Sequence, residues 1–147
     1  ALSDITVNMP GRTYLSEEYV PEADERVLWY RKIASAATVG AVEDIYNDLA
    51  GKRPDMPQEA QSLFEKARIK AFANEHHIKT VSVVAGKLVV EPIDIPRDKM
   101  VPMRRAGGRY LSDKRKLQLP LKHFRLTEKD NLFGPVAKFL REMHGEE

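Results

Sequence analysis

Between Pro57 and the pair His76-His77, apolar residues fall on two sides of one helical period. Ala60, Leu63, Phe64, Ala67 and Ala71 recur at spacings of three and four and mark a main buried face, while Ile69 and Phe72 form a second stripe. That second stripe can pack against another element, so this segment, the longest predicted helix, is the expected centre of the fold. Pro57 suits its first helical position, where a missing N–H costs nothing.

The flanking segments supply what such a helix needs. Ile5, Val7 and Met9 alternate with polar residues and predict a short strand ended by Pro10-Gly11. Tyr14, Leu15, Tyr19 and Val20 are expected to anchor an extended segment that finishes at Pro21. Asp24 can cap a helix running to about Ala36, with Val27, Tyr30, Ile33 and Ala34 as its apolar stripe and Arg26, Arg31 and Lys32 on the flanks. Thr38 can cap a second helix reaching about Ala50, in which Val42, Ile45, Tyr46 and Leu49 face inward and Gly51 closes the end. Ile78 to Val84 and Lys87 to Glu91, β-branched and separated by Ala85-Gly86, predict a hairpin. Prolines at 92, 96, 102 and 120 and the pair Gly107-Gly108 then break every long period. Short strands or loops are expected there, with Lys116 to Leu121 the best strand. Pro135 fits the start of a C-terminal helix striped by Val136, Phe139, Leu140 and Met143. The fold class is α+β: N-terminal helices packed with a small, mostly antiparallel sheet, plus a C-terminal helix. With no internal repeat, low-complexity tract or linker, one domain over residues 1–147 is the economical count.

At 147 residues, with 42% hydrophobic and 31% charged, the chain has the balance of an ordinary globular protein. Lack of cysteine excludes disulfides, thiolate metal sites and a cysteine nucleophile, and suits a reducing compartment, so cytoplasm is the expected location. No apolar run is long enough for a bilayer-spanning helix, and no membrane partner is expected. The chain begins with Ala1 and enters the first strand almost at once, which reads as a fragment cut from something longer. Reaction machinery is not visible. No glycine-rich phosphate cradle followed by Lys and Ser/Thr occurs, Gly107-Gly108-Arg109 lacks that pattern, and there is no Gly-x-Ser-x-Gly elbow. Side chains of His76 and His77 would diverge by about 100° on a helix, which is poor geometry for one ion. No catalytic residue, metal or cofactor is assigned.

Charge is the remaining signal. Residues 1 to 96 hold 11 Lys/Arg against 15 Asp/Glu, and residues 97 to 147 hold 13 against 7, so net −4 precedes net +6. On the second helix Glu43, Asp44, Asn47 and Asp48 fall on one face, giving three carboxylates in a patch. Such a patch is either simply solvated or a docking site for a partner's Arg and Lys. In the basic part, Arg104, Arg105, Arg109, Lys114, Arg115 and Lys116 are the candidate nucleic-acid contacts. Only Tyr110 and Phe124 are at hand for base stacking, so a solvated or protein-facing surface stands beside that reading.

Several short motifs, in order, carry a family resemblance: Tyr19-Val20-Pro21, Arg26, Tyr30-Arg31-Lys32-Ile33-Ala34, Leu49, a turn ending in Pro57, Leu63, Ala67-Arg68-Ile69-Lys70 and His77-Ile78-Lys79. Over roughly residues 4 to 91 the chain resembles the C-terminal domain of the bacterial transcription-repair coupling factor, Mfd. The resemblance implies a non-catalytic, autoinhibitory clamp belonging to an ATP-driven DNA translocase. In that family the clamp covers the UvrA-binding surface of a UvrB-like module in the same polypeptide, while ATPase, RNA polymerase and duplex DNA contacts belong to other domains. Family acids on the helix matching residues 39 to 50 face the UvrB-like module. Asp48 matches one of them, and Glu43 and Asp44 could supply further charge. Where the family carries an acid followed by Arg, an aromatic and Gly, this chain has Gly51-Lys52-Arg53-Pro54.

Overall fold

The computed structural model describes residues 2–145. Strand β1 (Thr6–Asn8) leads through a long loop to three helices, α1 (Ala23–Ser35), α2 (Val39–Lys52) and α3 (Gln58–Glu75). The hairpin of β2 (Thr80–Val84) and β3 (Lys87–Glu91) follows, then α4 (Arg97–Arg105), β4 (Arg109–Leu111), β5 (Lys116–Pro120) and α5 (Phe133–Met143). The strands form one five-stranded sheet in the order β1-β2-β3-β5-β4, with β1 and β4 at its edges. Among the described residues only the β1–β2 pair is parallel, as expected of a mostly antiparallel sheet. The α+β architecture agrees with the one predicted.

Two hydrophobic cores meet at α3. Phe64, Ala60 and Ala71 on one face pack with Trp29 and Ile33 of α1, Val42 and Leu49 of α2, and the loop residues Leu15 and Val20. Ile69, Phe72 and Ala73 on the other face pack against the sheet, through Val81, Leu88, Val90, Leu117 and Leu119, and against α5, through Phe133, Val136 and Leu140. Each large side chain so buried contributes about 1.5–3 kcal/mol of transfer free energy. The double stripe in the sequence is therefore the central structural element.

Helix ends follow local chemistry, with corrections. Thr38 caps α2, its hydroxyl accepting from the Ala41 N–H at 3.1 Å. Gly51 does not close that helix: α2 runs through it to Lys52 and stops where Pro54 forces Arg53 out of helical geometry (φ −134°, ψ 86°). Asp24 is no cap either. It lies in the first turn of α1 beside Glu25, where the helix dipole favours carboxylates, while Glu22 holds the cap position without a side-chain bond. Pro57 precedes α3 instead of starting it, and its carbonyl accepts from the N–H groups of Ala60 and Gln61 at 3.1 and 3.0 Å. Pro135 is the third residue of α5, which begins at Phe133.

α1 is also turned relative to its predicted stripe. Trp29 and Ile33 are buried, whereas Ala34 is exposed and Val27 and Tyr30 retain 46% and 36% of their surface. The helix turns its indole, the largest apolar group it carries, into the core beside Ile33. Tyr14 likewise stays outside, at 39% exposure, while Leu15 and Val20 anchor the loop.

β2–β3 is a hairpin as predicted, with Ala85 and Gly86 both at positive φ (50° and 75°), the geometry of the turn that matches strand twist. The strand begins at Thr80; Ile78 is buried just before it, its N–H bonded to the Ala73 carbonyl. β5 ends at Pro120, and Leu121 opens a short 3-10 turn. α4 departs most from expectation, since prolines hid a helix. Pro96 sits at its cap, and Pro102 is accommodated within it. Gly107, at φ 85°, donates to the Arg104 carbonyl and Gly108 to that of Met103, an interlocked pair of bonds that ends the helix. A Cβ on Gly108 would run into the sulfur and carbonyl of Met103, so the glycine pair serves close packing as well as the turn.

Candidate functional site

α2 packs Val42 and Leu49 inward, which leaves Asp44, Asn47 and Asp48 exposed on its outer side. Among the described residues neither Asp44 nor Asp48 makes an ion pair or a side-chain hydrogen bond. Glu43 is placed differently. It accepts from Arg68 Nε of α3, whose Nη1 also holds Glu65 at 2.7 Å and whose guanidinium lies 4.9 Å from the centre of the Tyr46 ring. With only 12% of its side chain exposed, Arg68 is spent on fastening α2 to α3. The three acids grouped by helical spacing thus divide into one structural and two outward-facing carboxylates.

A second constellation lies between α1 and the end of α2. Arg53 grips Glu25 with two bonds of 2.9 and 2.7 Å, and Trp29 Nε1 donates to the same carboxylate at 3.0 Å. The hydrogen bonds from Arg53, then that from Trp29, hold Glu25 down to about 2. Lys32 and Lys52 place their ammonium groups 4.8 and 5.3 Å from the indole centre. Tyr19 donates its hydroxyl to the Arg53 carbonyl at 2.6 Å, and burial pushes its phenol up. Lys52 and Arg53 are therefore built into this corner of the helical layer. Sequence reasoning missed this network, although Glu25, Trp29 and Lys32 stand three and four residues apart on one helix, a spacing that does signal contact.

The basic residues also divide. Arg104 and Arg105 at the end of α4, Arg109 on the edge strand β4 and Lys114 in the following turn are exposed, and none makes an ion pair among the described residues. Arg115 is instead clamped bidentately on Asp94 at 2.7 and 2.9 Å, and Lys116 lies 3.8 Å from Glu91. The Arg115 guanidinium holds the Asp94 carboxyl below its usual range. The aromatics are unavailable for stacking: Tyr110 points inward to donate to the Ile93 carbonyl at 2.7 Å, and Phe124 packs edge-on against Phe139.

His76 and His77 separate as expected. His76 stacks on Phe72 and, at 4.3 Å between ring centres, on His144, whereas His77 is exposed beyond the end of α3. Among the described residues no group of three or more His, Asp or Glu is arranged to hold a metal ion, and no helix is long and apolar enough to cross a membrane.

A family model described as the TRCF domain matches residues 9–100, well over half of the chain. The chain belongs to the TRCF domain family. This TRCF domain is 22% identical over 121 residues to the transcription-repair-coupling factor of Mycobacterium bovis, covering 80% of the chain and 10% of that protein. It is 27% identical over 77 residues to the transcription-repair-coupling factor of Escherichia coli, covering 52% of the chain and 6% of that protein. The TRCF domain thus spans a tenth or less of the length of these relatives. Its fold is that of a crystallised C-terminal domain of transcription-repair coupling factor, with a TM-score of 0.66 at 12% identity over 98% of this chain and 96% of the other. The outward acids of α2 fall inside the stretch matched by the family model, and the unpaired cations from Arg104 to Lys114 fall outside it.

Proposed function

We propose that this TRCF domain is a regulatory, non-catalytic module of a transcription-repair coupling factor, docking through the outer face of α2 on the UvrB-like module of the same polypeptide. Docking there occludes the basic surface that UvrA uses and restrains the translocase. ATP hydrolysis, duplex DNA tracking and RNA polymerase contact belong to other parts of the longer bacterial protein, which works in the cytoplasm. One observation carries the reading: Asp44 and Asp48 are exposed carboxylates one turn apart that no cation answers among the described residues. Like charges so placed cost a few tenths of a kcal/mol until a partner's Arg or Lys neutralises them. Glu43, held by Arg68, orients the helix and contributes less to the contact. A coupling of about 1–3 kcal/mol between docking and UvrA binding changes recruitment by roughly 5- to 150-fold.

The test is Asp44→Lys with Asp48→Lys in the full-length protein, read as UvrA affinity. Binding is expected to tighten; unchanged affinity overturns the acidic-face mechanism. The isolated domain is expected to show no ATP turnover, and any turnover contradicts its non-catalytic assignment.

Arg104, Arg105, Arg109 and Lys114, exposed and without an ion pair among the described residues, favour a second reading, a contact with nucleic acid. Without stacking aromatics on that surface, the contact would be to the phosphates of duplex DNA. Filter binding of the domain to duplex across a salt series decides it: affinity falling steeply with salt supports the contact, and no binding at physiological salt removes it.

A further inference from the structure

The stripe that turned outward on α1 does not end in solvent. Val27, Tyr30 and Ala34 lie along one line of that helix, and Tyr30 and Ala34 continue into an apolar groove between α1 and α3. Ile33, Leu63 and Ala67 line its floor. Small side chains at positions 34 and 67 let an incoming group approach both helix backbones closely, and the Tyr30 hydroxyl, accepting from the Leu15 N–H at 2.7 Å, fixes the groove wall.

The charged side chains that line the groove among the described residues are both cationic, and Asp24 shares the outer side of α1 with Arg31. Lys66 and Lys70, one turn apart on α3, border the groove, and Arg31 flanks the stripe on α1. None of the three makes an ion pair among the described residues, and no carboxylate lines the groove. This surface lies on the α1 side of α3, away from the Arg68 side where α2 sits, so it is separate from the Asp44 and Asp48 face.

We infer that the groove between α1 and α3 is a docking site for an amphipathic helix of a partner protein, one whose apolar face is bordered by carboxylates. An apolar stripe of helical period bounded by cations matches a helix with anchors at i, i+3 or i+4, and i+7 and acids along its edge. Complementary rim charge selects that partner over a basic one. Periodic apolar exposure continuous with a concavity is what a docking surface requires, whereas scattered exposed residues carry no such meaning.

The probe is a synthetic helix of about 15 residues, long enough to hold helical structure, with leucines at the anchor positions and glutamates on both flanks. A matched peptide carries lysines in place of the glutamates. Titrated into the isotope-labelled chain, the acidic peptide is expected to shift amide resonances of Tyr30, Ala34, Ala67 and Lys70 and to bind roughly tenfold tighter than the basic one. Lys66→Glu with Lys70→Glu is expected to reverse that order. Ala34→Glu, at an exposed position, is expected to abolish the localised shifts while the unfolding temperature holds. Equal binding of both peptides, shifts centred on another face, or no shifts at about 1 mM peptide overturns the inference. Self-association of the chain through Ala34 also overturns it, by assigning the groove to a second copy.

Discussion

The helical layer and the sheet layer share α3 but are held together by different means. Around the helical core, charged and polar side chains tie element to element: Arg53 to Glu25, Arg68 to Glu43, Tyr46 to Gln61, and Tyr19 to the Arg53 carbonyl. In the sheet core the ties are backbone ladders and aliphatic cross-strand pairs such as Val81–Val90 and Leu88–Leu119. Charge is also separated by face, with outward acids on α2 and exposed cations around α4 and β4. The difference teaches that the helices are tied to one another largely by side-chain bonds, while the strands are tied by their ladders, with Arg115–Asp94 and Tyr110–Ile93 fastening the loops at the sheet's rim. Separate faces of one small chain are thereby free to carry opposite charge.

Truncations on α3 test whether two cores so differently built still unfold as one. Phe64→Ala and Phe72→Ala are each expected to cost about 3–5 kcal/mol in denaturant unfolding. Because each core contains a face of α3, fluorescence of Trp29, the only tryptophan, should report the same transition as far-UV circular dichroism. A Trp29 signal that outlasts the sheet in Phe72→Ala would break the coupling. Arg68→Met removes the polar clamp alone and is expected to cost about 2 kcal/mol, since two carboxylates lose a charged partner. A cost near zero would place the helical layer under packing control instead. In the sheet layer Gly108→Ala is expected to cost roughly 1–2 kcal/mol by forcing Met103 aside, visible as a lowered unfolding midpoint. Thr38→Ala, which removes the α2 cap, is expected to cost about 1 kcal/mol by the same measurement.

The smallest effect is the pH dependence of the Glu25–Arg53 pair. Glu25 titrates at about 2 in the folded chain against an ordinary 4.5, so ionised Glu25 adds stability fully above about 4.5 and loses it as pH falls towards 2. The gap in unfolding temperature between the native chain and Glu25→Gln should therefore be constant near neutrality and close between pH 4.5 and 2. A gap that does not narrow would show that the carboxylate charge is irrelevant to this corner.

Legibility from sequence also differed by layer. α3 could be read because its long span displays both stripes repeatedly, and the hairpin because Ala85-Gly86 separates two β-branched runs. α4 was hidden by Pro96 and Pro102, which local rules read as breaks; the first sits harmlessly at the cap and the second is tolerated in a nine-residue helix. α1 was misoriented because Trp29 and Ile33, four residues apart, satisfy a helical period as well as the predicted stripe does. At the candidate site, the presence of acids and bases was plain, but which of them remain outward was not. Arg68 reaches Glu43 across 25 residues, and Arg115 reaches Asp94 across 21, contacts that exist only once the chain is folded.

The sheet ends on both sides in strands of three residues, Thr6–Asn8 and Arg109–Leu111. One is followed by Pro10, and the other carries the exposed Arg109 at its start. Brief, charged or proline-bounded borders give a passing strand little backbone to zip onto. Borders of this kind disfavour edge-to-edge pairing with the sheet of another copy, so contacts with neighbours fall to the faces of the molecule.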